Sequence, residues 1–88
     1  MPEAADGEDT VEIIVQLVPE AIPLTGRKAA AVRQTAADDG GTVEALHPDT
    51  DDAELATWAR VRVPAAKADR LVTRLAACPG VAAAYVRP

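Results

Sequence analysis

Residues 55–88 read LATWARVRVPAAKADRLVTRLAACPGVAAAYVRP, and the changes of period along this stretch decide the fold. From Glu54 to Val63 the pattern has period two, the signature of a strand. Leu55, Thr57, Ala59, Val61 and Val63 face one way, and Ala56, Trp58, Arg60 and Arg62 face the other. Pro64 then opens a helix, where its missing N–H costs nothing. Ala68, Leu71, Val72, Leu75 and Cys78 follow i, i+3, i+4, i+7 spacing and make one apolar stripe. Pro79-Gly80 ends the helix, and Val81 to Arg87 forms a closing strand.

Working upstream, Pro48 to Asp52 (PDTDD) is a turn, rich in the residues that favour one. Thr42 to His47 reads as a second strand ahead of it. Gly40-Gly41 stops a first helix that runs from an N-cap at Thr25 to about Asp38, with Ala29, Val32 and Ala36 on its buried stripe. Thr10 to Val18 (TVEIIVQLV) is the first strand, ended by Pro19 and Pro23. Val11, Ile13, Val15 and Leu17 share one face; Glu12, Ile14, Gln16 and Val18 share the other. This order specifies an α+β, ferredoxin-like βαββαβ sandwich, with two helices on one face of a four-stranded antiparallel sheet. The first and third strands form its central pair. The opposite face is left open, with Ile14, Val18 and Trp58 among Glu12, Gln16, Arg60 and Arg62.

The 88 residues make one small domain, 10–88, behind an acidic tail, 1–9, that is expected to be disordered. Twenty residues are Ala and only 19 are Val, Ile or Leu, with Trp58 and Tyr85 the only aromatics. Ala buries little area, so folding alone is expected to be marginal and helped by a partner. Of the net charge of −5, most comes from Glu3, Asp6, Glu8 and Asp9. The nearly neutral remainder argues against nucleic acid, which needs clustered Lys and Arg. MPEAADGEDT has neither the basic nor the apolar region of a secretory signal, and no apolar run is long enough to span a membrane. Cys78 is the only cysteine, which fits a reducing, cytoplasmic setting.

No catalytic equipment is visible. The chain has no Ser and no Asn, and its single His and single Cys lack an orienting group. There is no metal-ligand spacing and no phosphate loop, so no metal and no cofactor is expected. The open face is therefore the candidate site: Ile14, Gln16, Val18, Trp58, Arg60 and Arg62. Trp58 suits an interface anchor, against the alternative that a register slip places it in the core. Arg60 and Arg62 have a competing role in pairing with Glu12 across strands. The acids Asp49, Asp51, Asp52 and Glu54 read as a solvated turn, His47 as exposed, and Cys78 as a small buried hydrophobe.

Residues 55–88 resemble the subtilisin propeptide-like inhibitor family, in which a strand leads to a short helix, a Pro-Gly-Val turn and a Tyr-Val-Glu-Pro closing strand. The matching pieces are Val61 to Val63, Ala65 to Cys78, Pro79-Gly80-Val81 and Tyr85-Val86-Arg87-Pro88. Val11 to Val18 sits where the family has its opening strand, and Gly40-Gly41-Thr42-Val43 fits its Gly-rich approach to the second. The resemblance covers about residues 10–88. It implies a protein-binding domain whose open sheet packs on a subtilisin-type serine protease, as trans-acting inhibitor, chaperone or regulatory subunit. No protease follows, hence the free-standing kind. The family's further residues that enter the active-site cleft are absent after Pro88, so Tyr85, Val86, Arg87 and Pro88 would have to serve as the C-terminal tail. The alternative is an interaction module that uses the same face to form a homodimer or to recruit an unrelated protein. A small-molecule sensor of similar fold is a weaker option, since no polar pocket is visible.

Overall fold

Strand β1 (Thr10–Leu17) buries Ile13, Val15 and Leu17 on one side, as its alternation demands. The structure is a computed structural model and describes residues 9–87. The acidic leader expected over 1–9 lies outside the described residues except for Asp9, and Pro88 lies outside them too. Asp9 is tied down, because its carbonyl accepts the Ala65 N–H at 2.8 Å. After β1 come α1 (Ala30–Asp38), β2 (Thr42–Ala45), β3 (Trp58–Pro64), α2 (Ala65–Ala76) and β4 (Val81–Arg87). Short 3-10 turns occupy Pro19–Ala21, Arg27–Ala29 and Leu55–Thr57. The result is an α+β domain with a four-stranded antiparallel sheet and two helices, in strand order β2-β3-β1-β4. Strands β1 and β3 are the central pair, as expected.

One cluster forms the core. Ile13, Val15 and Leu17 of β1 and Ala59, Val61 and Val63 of β3 meet Val32 and Ala36 of α1 and Ala68, Leu71 and Leu75 of α2. Both helices thus bury their stripes against the same side of the sheet. The approach of α1 is close: a Cβ added at Gly41 would lie 2.8 Å from Val61 Cγ1. Gly40, at φ +80°, supplies the left-handed residue that ends α1.

Across the helix layer, the carboxylate of Asp39 is fully buried. It accepts hydrogen bonds from Arg70 and, at 3.3 Å, from Arg74, so it joins the end of α1 to α2. The hydrogen bond from Arg70 does most to hold the Asp39 carboxyl below its ordinary value, outweighing the opposing effect of burial. The same contact raises Arg70 above its ordinary value.

Two expected boundaries are corrected. The first helix does not start from a cap at Thr25: α1 begins at Ala30 after a 3-10 turn, with no side-chain cap. The Arg33 guanidinium instead donates to the carbonyls of Leu24 and Gly26, the latter at 2.7 Å, and pins the loop from within the helix. The hairpin strands are also shorter than expected, ending at Ala45 and restarting at Trp58. Asp52 is the physical reason. Its carboxylate accepts from the N–H groups of Glu54 at 2.8 Å and Leu55 at 3.2 Å, nucleating the turn that displaces the start of the strand.

Candidate functional site

The side of the sheet away from the helices is built from cross-strand rows. Glu12 lies between Arg62 and Arg87, Ile14 between Arg60 and Tyr85, and Gln16 between Trp58 and Ala83. On the far side of β3, Thr42 stands opposite Arg62 and Glu44 opposite Arg60. Leu46 continues this edge, its N–H bonded to the Trp58 carbonyl at 3.0 Å. Period two in β1, β3 and β4 therefore sorts one face into a charged end and an apolar end.

The charged end is a shared network. Arg60 reaches Glu44 at 3.1 Å and Glu12 at 3.6 Å, while Arg62 and Arg87 approach the same Glu12 at 3.8 and 3.6 Å. The expected pairing of Arg60 and Arg62 with Glu12 is thus present, with Arg87 added to it. Exposed pairs of this kind contribute about 0.2–1 kcal/mol each. Three guanidinium groups share two carboxylates, so this end keeps a small positive excess and has capacity for one more acceptor.

The apolar end is concave. A groove of about 420 Å³ is lined by Ile14, Leu46, Leu55, Trp58 and Tyr85, with His47 and Arg87 as its polar walls. Ile14 is only 3% exposed although it points away from the helices, whereas Tyr85 is 51% exposed and Leu55 40%. An isoleucine roofed by partly open aromatic and aliphatic neighbours is an arrangement suited to receiving an apolar side chain. Trp58 is partly buried within this groove, so the strand register keeps it out of the helix-facing core.

The structure does not bring all the expected site residues together. Ile14 and Trp58 share the groove, and Arg60 and Arg62 flank it. Gln16 lies on the same face but lines a neighbouring hollow with Val18 and Pro19. Val18 falls beyond the end of β1 and packs against the core cluster, its N–H bonded to Gly80 at 2.9 Å. Tyr85, Val86 and Arg87 do not form a free tail: they pair with Ile14, Ile13 and Glu12 inside β4, and Val86 packs on the core. Pro88 is outside the described residues. Leu46 and Leu55 were missed as groove residues, because a strand extended back to Glu54 turns Leu55 inward. The signal that would have placed Leu55 is Asp52 followed two and three residues later by Glu54 and Leu55, a turn-capping pattern.

Elsewhere, Cys78 is half-buried with its Sγ 3.2 Å from Thr35 Oγ1, and His47 is exposed at the groove wall. Among the described residues no group of three or more His, Cys, Asp or Glu side chains could hold a metal ion, and no helix is long and apolar enough to cross a membrane. No protein-family model, curated protein or solved structure matches the chain.

Proposed function

We propose that this chain is a cytoplasmic, non-enzymatic binding domain that docks through the open face of its sheet onto a subtilisin-type serine protease. It acts in trans, as inhibitor, chaperone or regulatory subunit. The observation that carries the binding role is the groove over Ile14, open to solvent between Trp58, Leu55 and Tyr85, with Arg87 in its wall and the charged end of the sheet beyond it. Apolar anchors beside a charged rim are the anatomy of a docking patch. The choice of protease rests on the resemblance of residues 55–88 to propeptide-like inhibitors. The chain order βαββαβ and the strand order β2-β3-β1-β4 support reading the domain as a ferredoxin-like sandwich of that kind.

The seating of Tyr85 to Arg87 within β4 bears on mode of action. Using them as a strand in the protease cleft means breaking their pairing with β1 and exposing Val86. Docking by the sheet face needs no such loss, so chaperoning or regulation through that face is favoured over blockade of the active site. Titration of the purified chain into a panel of subtilases tests the reading, with binding heat, residual activity and refolding yield of the denatured proteases as readouts. Binding with a change in refolding yield or activity is expected. Absence of all three across the panel removes the protease from the account.

A further inference from the structure

We propose that β4 is a pairing edge for a second copy of this chain, the two Val81–Arg87 strands running antiparallel about a two-fold axis to join two sheets into one. This inference does not depend on the protease reading, since it rests on the edge of the sheet.

The two edges of the sheet differ. Strand β2 is four residues long, and its Glu44 is held by Arg60 at 3.1 Å. Strand β4 is seven residues long, and among the described residues it pairs only with β1. Proteins blunt exposed edges with charges, prolines or bulges. From Val81 to Val86 this edge carries no charge and no proline. Its one irregularity falls at Gln16/Leu17, opposite the beginning of β4, which leaves Ala83 to Arg87 in regular register.

Side-chain sizes along the edge complement each other under the two-fold. A closed dimer of identical edges must pair antiparallel. With Ala84 on the axis, Ala83 stands opposite Tyr85 of the second copy, both within the stretch of regular register. The one aromatic of the edge thus meets an alanine in each copy. Tyr85 is 51% exposed, and both Ala82 and Ala83 are exposed, so these positions are open to receive a neighbour. Opposite an alanine, Tyr85 can lie across the seam and extend the groove floor from one copy to the next. The same register sets each Arg87 three positions from the axis, so the two cations end up roughly 20 Å apart at about 3.3 Å per residue. A second copy brings an alanine opposite each Tyr85 and keeps the Arg87 charges apart by symmetry alone.

Sedimentation equilibrium of the full chain from about 2 to about 200 μM tests the proposal through mass action. The expected result is a reversible dimer whose dissociation constant rises roughly tenfold or more in Ala83→Lys. Because Ala83 is exposed, that variant should keep the far-UV spectrum of the parent and, at concentrations where both are monomeric, its thermal midpoint. In a Cys78→Ser background, mild oxidation should crosslink Ala84→Cys, since residues facing each other in antiparallel strands lie about 4.5–5.5 Å apart at Cα, within disulfide range. Ala82→Cys should not crosslink. Should Ala84→Cys fail to fold, the lysine variant decides alone. A strict monomer at the highest concentration overturns the proposal, as does a dimer indifferent to Ala83→Lys or one crosslinked equally well through Ala82→Cys. A dimer dissolved only by Trp58→Ala points to face-to-face association instead and equally overturns it.

Discussion

Trp58→Ala separates folding from the proposed docking, because Trp58 is partly buried in the groove that a partner would fill. Truncating a fully buried Trp costs about 3–5 kcal/mol, part of it for the cavity left behind. Trp58 is only partly buried, opposite Gln16 in an open groove, so water fills the space and the cavity contribution drops out. What remains is the cover it gives to Ile14, and a loss of about 1–2 kcal/mol is expected. For a domain of this size each kcal/mol corresponds to roughly 4–8 °C in thermal midpoint. Leu71→Ala is the comparison, since Leu71 is fully buried beneath the sheet and should lose about 2–5 kcal/mol. Docking should respond in the opposite order. Removing an aromatic anchor weakens binding by about 2 kcal/mol, roughly thirtyfold in dissociation constant. Leu71→Ala, where it folds, should bind like the parent. Stability is best followed by far-UV circular dichroism in urea, because the variant deletes the only tryptophan; binding is followed by calorimetry against a responding protease. If Trp58→Ala destabilises as severely as Leu71→Ala while binding is untouched, Trp58 belongs to the core and the open face is not the docking site.

Acid should weaken the fold through Asp39. Its carboxyl is held below the ordinary value chiefly by the Arg70 hydrogen bond, so its contribution is fully present above the unfolded value near 3.9 and is lost as pH falls through the lower folded value. Thermal midpoints measured from pH 7 to pH 3 should therefore hold steady and then drop below about pH 4. In Asp39→Asn the midpoint should be lower at pH 7 and the acid drop shallower; an unchanged acid slope would clear Asp39 of that role. Gly41→Ala should cost about 1–3 kcal/mol by overpacking, since the new methyl meets Val61 Cγ1 at 2.8 Å and the carbonyls of Ala36 and Arg62 at 3.2 Å. Gly40→Ala, with open space but φ +80°, should cost about 1 kcal/mol from backbone strain alone. A urea midpoint for Gly41→Ala equal to that of the parent would show that β3 and α1 can separate without penalty.

The elements were legible where period and punctuation agree. Leu71 and Leu75 on a helical stripe closed by Pro79-Gly80, and Val61 and Val63 on an alternating strand, each have one solution that buries them. Long-range pairing then follows, because among the described residues β1 and β3 are the only strands with three buried aliphatic or alanine positions on one side. The loop from Leu46 to Thr57 was less legible. Its conformation depends on one carboxylate, Asp52, competing for backbone N–H groups that a longer strand would have used. The short-range hydrogen bonds prevailed there, and the strand starts only at Trp58. The groove inherited that error, since Leu55 reaches it only through the turn. Nor did the buried Asp39 show itself in sequence: an acid at a helix end reads as solvated until α2 brings Arg70 and Arg74 over it from 31 and 35 residues away.

Ile14 explains why the open face cannot be neutral ground. With so few branched side chains in the chain, placing an isoleucine on the side away from the helices withdraws it from the main core and demands other cover. Trp58, Tyr85, Leu46 and Leu55 supply most of that cover, leaving Ile14 itself nearly dry while they stay partly wet. Their remaining apolar area is what a partner would bury, at about 25 cal/mol per Å² removed from water. The same residues thus stabilise the free domain a little and the bound domain more. A small, alanine-rich core makes that difference matter: where the margin of folding is thin, a partner seated on this groove shifts the folded population by mass action. On the proposed reading, docking and folding would therefore be coupled at the position where β1 presents Ile14 between Arg60 and Tyr85.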